Sequence, residues 1–67
     1  MPPTTFAMKL KQIRTARGIT QVKLARRLKV KQPYVAQLES GAKPNPSLDM
    51  LRRLAKALKV SVAELVG

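Results

Sequence analysis

Residues 20–41 run Thr-Gln-Val-Lys-Leu-Ala-Arg-Arg-Leu-Lys-Val-Lys-Gln-Pro-Tyr-Val-Ala-Gln-Leu-Glu-Ser-Gly. Thr20 can cap a helix whose apolar positions, Leu24, Ala25 and Leu28, recur at helical spacing. The pattern breaks at Lys29-Val30 and resumes near Lys31 or Gln32. Pro33 then falls in the first turn of a second helix, where its missing amide hydrogen costs little. Val35 and Leu38 make the inward stripe of that helix, and Ser40-Gly41 ends it. The stretch therefore reads as two short amphipathic helices joined by a tight turn. The second helix turns Gln32, Pro33, Ala36 and Gln37 outward, a row of small and polar side chains.

The chain on either side reads the same way. Upstream, Thr5 can cap a first helix with Phe6, Leu10 and Ile13 on one face. Gly18, after Arg17, supplies the left-handed residue that stops it. Downstream, residues 42–46 form a loop, because two prolines in three residues cannot continue a helix. Ser47 caps a fourth helix, with Asp49 at its positive dipole end and Leu48, Leu51, Leu54, Ala55 and Leu58 as its expected buried stripe. Ser61 and Glu64 form a capping box for a short fifth helix. No period-two strand is convincing. Leu24-Ala-Arg-Arg-Leu-Lys-Val30 recurs as Leu54-Ala-Lys-Ala-Leu-Lys-Val60, one helix-ending solution used twice and too few copies for a solenoid. The expected fold is all-α, a compact five-helix bundle forming one domain over residues 1–67, with residues 1–4 as a disordered arm.

Composition narrows the function. Fourteen Lys and Arg face three acids, Glu39, Asp49 and Glu64, giving a net charge of +11 on 67 residues. Such an excess favours a polyanion, nucleic acid ahead of a membrane surface or an acidic protein. There is no His and no Cys, so disulfides, thiolate chemistry and an obvious acid/base pair or metal cluster are all missing. Catalysis is disfavoured, and no cofactor or small-molecule ligand is expected. The start lacks the organisation of a signal peptide, and no apolar run approaches the roughly 18 residues of a spanning helix. A cytoplasmic location is the expectation.

Beside that charge, the outward row on the third helix suits the DNA major groove, as in a helix-turn-helix. Glutamine offers a donor and an acceptor that match adenine N6 and N7, making Gln32 and Gln37 the main candidate base readers. Pro33 and Ala36 suit a thymine methyl group or a close approach of the helix. Tyr34 lies toward the flank, within reach of a phosphate or base edge. Lys31, Lys43 and Asn45 flank the helix as phosphate contacts, with Arg17 and Lys23 weaker candidates. Lys9, Lys11, Arg52, Arg53, Lys56 and Lys59 read as solvated faces supplying a long-range field.

From about Leu10 onward the chain resembles the lambdoid phage repressor and Cro superfamily (XRE-type) of helix-turn-helix regulators. Thr20-Gln21, Leu24-Ala25, Val35, Leu38-Glu39 and Gly41 fall where that pattern expects them, as do Pro46-Ser47-Leu48, Leu58, Val60 and Glu64-Leu65. The resemblance implies a lambda-repressor-like fold. It also implies a sequence-specific regulator of transcription, first of all a repressor, binding a palindromic operator in double-stranded DNA as a homodimer. It implies that Gln21 clamps a phosphate at a helix N-terminus and that Arg14 forms a structural ion pair with Glu39. The family often has glycine where this chain has Lys29 and Lys59; left-handed geometry at Lys29 would cost on the order of 1 kcal/mol and in exchange place a cation beside the DNA face.

The apolar last helix places Val62, Leu65 and Val66 as the expected dimer contact, completion of the core being their other use. The runner-up function is an antitoxin that binds its own operator and neutralises a partner enzyme. That toxin would need the Pro-rich start or the last helix as a docking surface. RNA binding ranks lower, since Phe6 and Tyr34 are the only aromatics available for stacking. A membrane-active helix ranks lower still.

Overall fold

Most helix boundaries fall at residues whose chemistry favours them. The structure, a computed structural model describing residues 5–42 and 46–66, contains α1 (Thr5–Ala16), α2 (Gln21–Leu28), α3 (Gln32–Ser40), α4 (Leu48–Leu58) and α5 (Val62–Val66). Thr5 is the first residue of α1. The Thr20 hydroxyl accepts from the Lys23 amide at 3.0 Å, and that of Ser47 from the Met50 amide at 3.2 Å. Ser61 and Glu64 close their box in both directions, at 3.1 and 2.7 Å. Gly18 and Gly41 end α1 and α3 at φ 67° and 80°.

The ends of α2 and α4 are unusual. Lys29 and Lys59 terminate α2 and α4 in the left-handed region, at φ 59° and 57°. The next residues close the turn, Val30 donating to the Ala25 carbonyl at 3.0 Å and Val60 to that of Ala55 at 2.9 Å. This is the Schellman arrangement that glycine usually serves.

Packing gathers all five helices around one core. α3 lies against α1 and α2, α4 against α2 and α5, and α5 returns to α1. Leu10, Leu24, Leu28, Val35, Leu38, Leu54, Leu58 and Leu65 are fully buried, so every helix contributes. Among the described residues there is no strand, and no helix is long and apolar enough to cross a membrane.

Two expectations are corrected. Leu48 is 57% exposed rather than part of the buried stripe; it is the first residue of α4, and Leu54, Ala55 and Leu58, further along, carry the burial. Leu65, expected at a dimer contact, is wholly buried within its own chain, where α5 packs on α1 and α4. Ile19, in the connector after Gly18, joins the core without belonging to any periodic run. The arm expected at residues 1–4 lies outside the described residues.

Candidate nucleic-acid interface

Val35 and Leu38 anchor α3 in the core and thereby fix which side faces out. Pro33 and Gln37 are exposed, and Gln32 and Ala36 are half-buried. At the far end of the helix Glu39 turns inward to a position only 6% exposed, opposite Arg14 of α1 at 8%. The two meet as a fork. Arg14 Nε donates to Glu39 Oε2 at 2.5 Å and Nη2 to Oε1 at 2.9 Å, while Nη1 donates to the Ile19 carbonyl at 2.7 Å. One guanidinium thus ties α1, the α1–α2 connector and α3 together. The hydrogen bonds that Arg14 donates to Glu39 raise the pKa of Arg14, against a smaller opposing effect of burial and with added help from the carboxylate's charge. Removing one partner of a buried pair strands the other and costs roughly 3–5 kcal/mol.

The pair does not stop at Glu39. Its Oε1 also accepts from Gln21 Nε2 at 3.1 Å, and Gln21 Oε1 accepts from Gln32 Nε2 at 2.7 Å. An ionised carboxylate can only accept, so Gln21 must turn its NH2 toward Glu39. Its carbonyl then faces Gln32, which must answer with its own NH2. The amide polarity of Gln32 is therefore set by a buried ion pair two links away. Gln32 retains its Oε1 and one N–H for an outside partner. Gln21, expected on a phosphate, has both side-chain atoms engaged and keeps one side-chain N–H beyond these bonds.

The start of α3 is otherwise left without a side-chain cap. Lys31 sits at the cap position with extended backbone (φ −83°, ψ 149°) and makes no capping hydrogen bond. Its carbonyl instead accepts from the Tyr34 amide at 3.0 Å. Lys31 is exposed, and Tyr34 is half-buried against the core. Lys43 and Asn45, expected on phosphates, lie outside the described residues. Of the expected dimer contacts other than Leu65, Val62 packs partly against the core and Val66 is 53% exposed. No group of three or more potential metal ligands occurs among the described residues.

The relay through Gln21 is the part of this site that the sequence pattern does not reveal. Its one visible signal is a glutamine at the first position of each of two consecutive helices, above an isolated glutamate.

A family model described as helix-turn-helix matches residues 10–65, nearly the whole described fold. The chain belongs to this family. Its members are DNA-binding regulators of transcription of the phage-repressor and Cro type, and the five helices have the lambda-repressor-like arrangement. The immunity repressor protein of Bacillus phage phi105 is 38% identical over 63 residues, an overlap of 94% of this chain and 43% of that protein. The chain thus spans less than half the length of that relative. The restriction-modification controller protein C.AhdI from Aeromonas hydrophila has a similar structure, with a TM-score of 0.85 at 36% identity over 91% of each chain. SinR, the master regulator for biofilm formation, solved in complex with DNA, gives 0.86 at 29% identity over 92% of this chain and 98% of that one.

Proposed function

We propose that this helix-turn-helix chain reads DNA sequence through α3, binds a palindromic operator as a homodimer and represses a nearby promoter, with no catalytic activity of its own. The observation that carries the reading is the relay from Arg14 through Glu39 and Gln21 to Gln32. It ends at the half-buried Gln32, the first residue of α3, with a donor and an acceptor in fixed order, the complement of adenine N6 and N7. Gln37, Pro33 and Ala36 complete the base-facing row, while Gln21, Lys31, Tyr34, Lys43 and Asn45 hold phosphates and set the register. Two-fold symmetry would set two such helices about 34 Å apart along one face of the duplex. Val66 and the outer edge of Val62 remain as apolar positions of α5 for that contact, with the small Ala63 exposed between them.

Selection of binding sites from random duplex DNA at two salt concentrations tests this reading. The expected outcome is an enriched palindrome, with adenine in each half-site and half-sites one helical turn apart. Binding that weakens with salt yet enriches no sequence would leave only the sequence-independent electrostatic contribution and overturn the proposal.

A further inference from the structure

The cations where α2 and α4 end are not an undifferentiated solvated face. The C-terminal ends of α2 and α4 lie side by side and exchange arginines. Arg27 Nη1 donates to the Ala57 carbonyl at 2.9 Å, and Arg53 Nη2 donates back to the Leu28 carbonyl. Between them opens a cleft of about 550 Å³ lined by Arg27, Lys29, Arg53, Lys56, Ala57 and Lys59. Five of these six residues are cationic, none is acidic, and none belongs to α3. A smaller recess beside it adds Arg17 and Lys23.

Helix chemistry accounts for only part of this. A helix C-terminus carries about half a negative charge, which one cation per end complements; here two ends meet five. Two of the five, Lys29 and Lys59, occupy left-handed backbone where glycine would sit without strain. Each lysine therefore puts a like charge into an already crowded cleft from a conformation costly for its side chain. The two arginines are held by main-chain carbonyls. Each keeps further N–H donors in a planar fork suited to phosphate oxygens. The cleft is more open than enclosed, so a short polyanion would lie along it rather than be buried in it. A duplex would need a longer basic track, and the carboxylates of an acidic peptide do not cluster so densely.

We propose that this cleft, formed by residues outside α3, is an anion site for the linked phosphates of a nucleotide or an inorganic polyphosphate. Calorimetric titration of the full chain with inorganic tripolyphosphate, with adenosine triphosphate and with hexaglutamate tests it without DNA, so its failure is distinct from failure of the operator reading. The informative variant is the double change Lys29→Gly with Lys59→Gly, which removes two lining charges while relieving both left-handed positions, so misfolding does not confuse the result. Its control is Lys11→Gln with Arg52→Gln, two exposed cations outside the cleft. Loss of two attractions at contact range predicts about tenfold weaker tripolyphosphate binding for the glycine pair, against less than about twofold for the control. Binding of adenosine triphosphate with the same dependence on the two lysines identifies a nucleotide as an acceptable source; binding of tripolyphosphate alone restricts the site to the inorganic anion. Equal losses in the two double variants, equal affinity for hexaglutamate, or no saturable binding would each overturn the proposal.

Discussion

The molecule solves one local problem twice and puts the two solutions to different ends. α2 and α4 both finish in Leu-Lys-Val, both place the lysine in left-handed backbone, and both close the turn from the valine amide. The helices that come after these two turns are unlike each other. α5 has five residues and begins with a reciprocal Ser61–Glu64 box, its first turn satisfied by its own side chains. α3 has nine residues, no side-chain cap and a proline in its first turn. Its first side chain, Gln32, is held by a relay anchored in the core. The turn sets the angle between consecutive helices, whereas the chemistry of the next helix start decides whether that end is closed on itself or left to meet a partner.

The two halves should separate most widely when the relay is cut at its anchor, which the α4–α5 half lacks. Glu39→Ala should strand the Arg14 guanidinium and cost roughly 3–5 kcal/mol of stability. Denaturant unfolding measures this, and a loss below about 1 kcal/mol would deny the pair its structural role. Next in size, Gln32→Ala should lower affinity for a selected operator by about 1–3 kcal/mol and relax the preference at one base pair, as a lost bidentate contact does. Unfolding should barely notice it. If duplex binding is unchanged while stability falls, the start of α3 is as closed a structure as that of α5.

Smaller effects probe what the halves share. Lys29→Gly and Lys59→Gly should each raise stability by about 1 kcal/mol, since glycine occupies the left-handed region without the side-chain penalty. Neither should alter operator preference. Thermal melts of the two single variants would separate the halves if only one gained. The smallest effect is confined to α5. The Ser61 amide, and then its hydroxyl, hold the Glu64 carboxyl below the usual 4.5. A depressed pKa gives stability that is fully present above the ordinary value and lost as pH falls through the folded one. Wild type and Glu64→Gln should therefore differ at neutral pH and converge in acid. A difference that persists unchanged in acid would take the charge out of the box.

Most of the fold is legible in the sequence because helix boundaries are written in single residues. Thr20, Ser47 and Ser61 announce starts; Gly18 and Gly41 announce ends, and the repeated Leu-Lys-Val marks the other two. Apolar spacing shows which side of a helix faces in, yet not which of its turns finds a neighbour. Leu48 lies on the correct stripe and still meets solvent for that reason. Leu65 shows the converse, since an apolar residue near a chain end reads equally as a contact surface or as core, and only the return of α5 to α1 decides it. The outward row on α3 follows from Val35 and Leu38 alone. The Gln21 relay does not, because it depends on side chains from three separate segments meeting in space. The exchange of Arg27 and Arg53 between two helix ends is hidden from the sequence by the same cause.

The proposed source of sequence preference is the outer face of α3, with Gln32 held by its bond to Gln21. Its decisive test repeats the selection from random duplexes with wild type and with the double variant Gln32→Ala, Gln37→Ala, at matched salt. Wild type should enrich a palindromic site, and the double variant should lose it while keeping salt-sensitive binding to any duplex. Recovery of the same palindrome by the double variant would refute this assignment and move recognition away from α3.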